Sequence, residues 1–120
     1  MILVVLVGLS SLTFFNNQPT EVRTVDMPDN VKAVVDTKCF GCHNVESTND
    51  KAKDKLLWDK LDDLSKAEFV SALGSIEEVL DEDEMPPAKF LEKKPEMKLT
   101  ADEKMVLRDW AVATAEKMME

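Results

Sequence analysis

The stretch Cys39-Phe40-Gly41-Cys42-His43 decides how the rest of the chain is read. It spells C-x-x-C-H, the attachment pattern of a c-type haem. In that pattern each cysteine sulfur adds to one vinyl group of the porphyrin. The two-residue spacer, wound as about half a helical turn, matches the separation of the vinyls. The next histidine then lies under the ring, where an imidazole nitrogen can bind iron. Two rival readings are weaker. A redox disulfide wants a βαβ context, and the chain has no strand pattern. A structural zinc site takes four ligands, whereas the whole chain holds 2 cysteines and 1 histidine, all in this one turn.

Length and composition agree with a single small helical unit. The chain has 120 residues, 3 glycines, 2 tryptophans, 5 phenylalanines and no tyrosine. Charges recur at helical spacing and no long alternation of apolar and polar residues occurs, so the expected fold is all-α. The formal net charge is −9. That argues against nucleic acid as a partner, because binding it requires basic patches that neutralise phosphates. An acidic surface suits solubility and equally suits docking with basic partners.

Outward from the motif, residues 1–15 carry no charge and read as the apolar part of a signal peptide or a short membrane anchor. As a helix they would span only ~22 Å, short of the ~30 Å hydrocarbon core. No basic residue precedes them and no Ala-x-Ala site follows, so the segment is an atypical anchor or the remainder of a longer leader. Export fits haem attachment, which takes place outside the bacterial cytoplasmic membrane. Residues 16–27 read as a polar linker with Pro19. The domain proper is expected over residues 28–120.

In that domain Asp29 or Asn30 is the expected N-cap of a helix whose face is Val31, Val34 and Val35, running directly into Cys39. Leu56, Leu57, Leu61 and Leu64 predict a second helix from Lys51 to Asp63. It contains Trp58, whose indole N–H is placed either to reach a haem propionate or simply to pack in the core. Ser65 to Glu68 is a capping box ahead of a helix bearing Phe69, Val70, Leu73, Ile76, Val79 and Leu80. Gly74 sits inside it, with close approach to another helix or to the haem as the suggested reason. The acidic run Glu77 to Glu84 reads as a solvated helix end, with the helix stopping by Asp81 because acids there oppose the macrodipole. Residues 88–99 read as a loop or broken helix. Thr100 to Glu103 is a second capping box, opening a last helix with Val106, Leu107, Trp110, Ala113 and Thr114 on its apolar face.

Iron bound by His43 needs a sixth ligand, and a second histidine is absent. Methionine is the usual alternative and raises the reduction potential. Of the 7 methionines, Met1 lies in the apolar segment, Met27 in the linker, and Met105, Met118 and Met119 on the last helix. Met85 and Met97 remain. Met85 is favoured. It lies between helices, Pro86 and Pro87 restrict its backbone, and the chain from His43 is long enough for two helices to pass round a haem edge. Met97, and an open, lysine-bound or water-bound site, stay as alternatives.

With these residues in view, the chain resembles a small monohaem c-type cytochrome. More narrowly, it is similar to a short bacterial haem-binding domain family. The resemblance rests on the N-terminal apolar segment, Cys39-x-x-Cys42-His43, Met85-Pro86-Pro87, the stretch Pro95 to Thr100, Glu103 and Trp110. It implies a cytochrome c-like bundle of about four helices around one haem c, with Cys39 and Cys42 as thioether anchors, His43 as proximal ligand and Met85 as distal ligand. It also implies that the helices at Val31–Lys38 and Ala101–Met118 cross and pack. Where that family often carries a histidine before its last helix, this chain has Lys94, and Trp58 stands in place of a tryptophan-rich stretch.

The function expected from these residues is one-electron transfer between redox protein partners outside the cytoplasm, and not enzymatic catalysis. The different-class alternative is a haem sensor or catalytic subunit with an open or displaceable sixth site. The acidic run at 77–84 and the lysines 89, 93, 94 and 98 flank Met85 and suggest an electrostatic docking surface.

Overall fold

The computed structural model describes residues 25–120. The apolar segment at 1–15 and most of the expected linker lie outside the described residues. Five α-helices, and no strand, are found among the described residues: α1 (Asp29–Lys38), α2 (Asp50–Lys55), α3 (Lys66–Asp81), α4 (Ala88–Lys93) and α5 (Ala101–Met118). Two 3₁₀ segments, Trp58–Asp63 and Pro95–Met97, join them. None of these helices is long and apolar enough to cross a membrane.

The expected periodicities produce the core. Val31, Val34 and Val35 of α1 are buried with Phe69, Leu73, Ile76 and Leu80 of α3 and Leu107, Trp110 and Ala111 of α5. Phe69, Leu73 and Leu107 are the largest fully enclosed side chains. Burial of this kind contributes roughly 1.5–3 kcal/mol for each large apolar side chain. α5 packs against both α3 and α1. Ala111, with 0 % exposure, is the small residue at the α5 interface. Ala113, expected on the apolar face, is exposed.

Both expected capping boxes form. Ser65 Oγ accepts from Glu68 N and Glu68 Oε1 accepts from Ser65 N. Thr100 and Glu103 make the same reciprocal pair. At α1 the cap is Pro28 rather than Asp29 or Asn30. Its fixed φ suits a non-helical cap, and its carbonyl takes Lys32 N at 2.9 Å.

The expected helix over 51–63 is divided. α2 ends at Lys55, Leu56 and Leu57 are extended, and a 3₁₀ segment follows from Trp58. The reason is in the side chains. Leu56, Leu57 and Trp58 are consecutive apolar residues, and consecutive positions on an α-helix point about 100° apart. With the chain extended here, Trp58 is buried and Leu56 and Leu57 are half-buried. Ahead of them, α2 reads Asp-Lys-Ala-Lys-Asp-Lys and buries nothing fully.

Gly74 is exposed, and a Cβ built there meets nothing within 4 Å. Close approach to another element therefore does not explain it. The end of the expected linker is held in place: Val25 N donates to Asp62 Oδ1 at 2.8 Å, and Trp110 Nε1 donates to the Asp26 carbonyl at 3.0 Å.

Candidate functional site

α1 delivers the chain into the motif with its last turn intact. Cys39 N and Phe40 N both donate to the Val35 carbonyl. The Cys39 carbonyl then accepts from Cys42 N at 3.3 Å and His43 N at 3.2 Å, which winds the five residues into one turn. Asn44 closes it. Buried at 9 % exposure, it donates from Nδ2 to the Phe40 carbonyl and accepts from Glu46 N at Oδ1. The His43 carbonyl accepts from Trp58 N at 2.9 Å, tying the turn to the 3₁₀ segment.

These residues open on a cavity of ≈ 620 Å³, within the range of small-molecule and cofactor sites. Cys39, Cys42, His43, Trp58 and Met85 all line it. Its walls are mainly apolar, with Ile76, Leu80, Phe90, Leu99 and Leu107 contributing. Met97 does not line it, and Met27 packs on the core instead.

His43 is fixed as a ligand would need to be. Nδ1 lies 2.8 Å from the Ala52 carbonyl and 3.0 Å from the Leu56 carbonyl. Carbonyls only accept, so Nδ1 carries the proton and donates. In the neutral ring that leaves the lone pair on Nε2, the tautomer that binds a metal.

The two cysteines are free thiols, half-buried. Burial first, then the charges of Glu103 and Cys42, push the Cys39 thiol up to about 12. It is therefore held neutral at physiological pH, the opposite of the lowered pKa that activates thiol–disulfide exchange. No group of three or more His, Cys, Asp or Glu among the described residues could hold a bare metal ion.

Trp58 is 9 % exposed and packs against Trp110, with ring centroids 6.2 Å apart and 37° between planes. Its Nε1 is buried without a hydrogen-bond partner among the described residues. Buried donors in native folds are nearly always paired, so this N–H calls for an acceptor.

Two supports had no signature in the sequence. Lys38, directly before Cys39, donates from Nζ to the carbonyls of Glu96 and Lys98 at 2.9 and 3.0 Å and pairs with Glu103 at 3.7 Å. It thereby holds the 3₁₀ segment Pro95–Met97 against the attachment turn. The Glu103 carboxyl is held below its usual range, chiefly by the Thr100 backbone N–H and also by Lys38. The second support is Asn44, whose partners are local backbone groups.

The acidic run is not simply a solvated end. Arg108 of α5 donates to Asp81 through Nε at 2.6 Å and Nη2 at 3.3 Å, and reaches Glu77 at 3.2 Å. Lys104 Nζ donates to Asp83 Oδ1 at 2.8 Å. The Arg108 guanidinium keeps the Asp81 carboxyl below its usual value. The acids that oppose the α3 macrodipole are thus offset by cations from the neighbouring helix.

A family described as a haem-binding domain matches residues 44–113. The match begins immediately after His43, so it is independent of the C-x-x-C-H pattern. No curated protein and no solved structure shows a significant match to the chain. These residues fit a haem. An apolar cavity of suitable size is lined by two thiols, an imidazole, a thioether and the Trp58 ring.

Proposed function

The chain belongs to the haem-binding domain family, and from that premise we propose that it is a monohaem c-type cytochrome carrying single electrons between redox proteins outside the cytoplasm. The observation that carries this reading is that one cavity gathers Cys39, Cys42, His43 and Met85. Cys39 and Cys42 would hold the group through thioether bonds, and His43 Nε2 and the Met85 sulfur would bind its iron. Bound there, haem would supply an iron that alternates between ferric and ferrous states.

The chain's own residues do the rest. The Ala52 and Leu56 carbonyls orient the His43 ring. Leu80, Leu107 and Phe90 exclude water and lower the local dielectric, which together with the Met85 thioether favours a raised potential. Trp58 Nε1 offers a hydrogen bond to a propionate. The neutral, raised thiol of Cys39 argues against a dithiol oxidoreductase. Export is supported by the uncharged segment at residues 1–15 and by where haem is covalently attached.

The partners are redox proteins with basic surfaces. The carboxylates of the 77–84 run that lack an internal cation face them, so their reduction rates fall as salt rises.

Two measurements test the proposal. Haem staining of the denatured chain detects covalent attachment, and its loss in Cys39→Ser with Cys42→Ser is expected. The ferric spectrum of the holoprotein should show the weak red methionine–iron charge-transfer band, absent in Met85→Ala. A high-spin ferric wild type without that band would instead support a sensor or catalytic subunit with an open sixth site.

A further inference from the structure

Asp83 is the one described non-glycine residue with positive φ, at 55°. It ends α3 in a Schellman turn: Glu84 N donates to the Val79 carbonyl at 2.9 Å and Asp83 N to the Leu80 carbonyl at 3.3 Å. Glycine is the favoured residue at this left-handed position, because it has no Cβ to clash. An aspartate there calls for another reason, and its carboxylate provides one in Lys104, at 2.8 Å. One turn along α5, Arg108 grips Asp81 with two hydrogen bonds. Lys104 and Arg108 therefore hold the last helical residue of α3 and the residue that redirects its exit. Only Glu84 separates that exit from Met85.

We propose that Lys104 and Arg108 are positioning residues for the distal ligand, latching the Asp81–Asp83 exit of α3 so that Met85 stays directed into the cavity. The proposal rests on the reading of Met85 as an axial ligand. The Asp83 side chain is 80 % exposed and that of Lys104 31 % exposed, so the latch is weak and sensitive to salt. Its release is a small shift in how often Met85 leaves the iron rather than an unfolding of α3.

The experiment uses ferric holoprotein titrated with imidazole, which competes with the Met85 thioether, followed by the Soret shift on imidazole binding, a readout that does not require Met85. Exposed pairs of this kind have measured strengths that correspond to about a two- to five-fold change in an equilibrium. Lys104→Gln and Asp83→Gly are each expected to bind imidazole about two- to five-fold more tightly than wild type. Arg108→Gln shifts in the same direction. Raising salt from about 10 mM to about 500 mM, which shortens the Debye length from ~30 Å to under ~8 Å, should tighten imidazole binding to wild type and leave Lys104→Gln nearly flat. Asp83→Gly should unfold at or above the wild-type temperature, because glycine suits the backbone there, so weaker ligation in this variant is not general destabilisation. The charge swap Asp83→Lys with Lys104→Asp should restore wild-type affinity. An unchanged imidazole affinity in Lys104→Gln overturns the latch, as does an equal change when Lys104→Gln is made on a Met85→Ala background. If Met85→Ala itself binds imidazole no more tightly than wild type, the axial role of Met85 falls and the latch falls with it.

Discussion

Trp58→Phe in the holoprotein separates two roles for one side chain by the sign of the effect. Shortening the indole leaves a void and weakens the contact with Trp110, whose centroid is 6.2 Å away. Together these losses are about 1–1.5 kcal/mol. What happens to Nε1 decides the rest. Were this buried N–H still unpaired in the holoprotein, removing it would return about 1–3 kcal/mol of desolvation penalty. The variant would then be neutral or more stable than wild type. With a propionate accepting the bond, the variant loses a charge-assisted interaction of about 1.5–3 kcal/mol instead. The losses then add to about 2.5–4.5 kcal/mol, a fall in melting temperature of at least about 10 °C for a domain of this size. The assay is thermal and urea unfolding of both holoproteins by far-ultraviolet circular dichroism. Trp110→Phe, whose bond is to the Asp26 carbonyl, serves as the reference for packing loss. A Trp58→Phe midpoint equal to or above wild type would refute the propionate role and leave Trp58 as core alone.

Three further outcomes are expected from other parts of the fold. Gly74→Ala should raise stability by up to about 1 kcal/mol in urea titration, because the position is mid-helix, exposed and has room for a Cβ; a destabilised variant would mean that the glycine has a packing role. Glu103 has a folded pKa below its unfolded value, so its stabilisation is full above the unfolded pKa and is lost as pH falls through the folded one. Glu103→Gln, which keeps the capping box, should therefore lose less stability than wild type in acid titration below pH ~5, and parallel curves would contradict this. Asn44→Ala leaves the Phe40 carbonyl and Glu46 N–H without their partner and should cost about 2–3 kcal/mol, measured by the same unfolding titration.

The helices that carry the core were legible because burial imposes a period. Val31, Val34 and Val35 are spaced for one face, as are Phe69, Leu73, Ile76 and Leu80, and all are buried. The two capping boxes were legible because their partners lie three residues apart. Cys39, Cys42, His43, Met85 and Trp58 were picked out by residue type and spacing, and the fold brings all five to one cavity. What escaped was whatever depends on distant backbone. Lys38 finds its carbonyl acceptors 58 and 60 residues away, and a lysine before a motif carries no mark of that. The pairing of the acidic run was hidden for the same reason, since Arg108 and Asp81 meet only when α3 and α5 pack.

The misread helix over 51–63 bears directly on the site. Had it run unbroken, the Leu56 carbonyl would have been committed to the N–H of Lys60, as every interior helical carbonyl is to the residue four further on. Because α2 stops at Lys55, the Leu56 carbonyl has no such partner. The Ala52 carbonyl takes Leu56 N and has a lone pair left, and the Leu56 carbonyl is free of the helix. Both turn to His43 Nδ1. Leu56, Leu57 and Trp58 follow at the break. The break frees the Leu56 carbonyl, which joins the spare lone pair of the Ala52 carbonyl in fixing which imidazole nitrogen donates. One local choice of the chain thus buries Trp58 beside the cavity and sets His43 in its ligating tautomer.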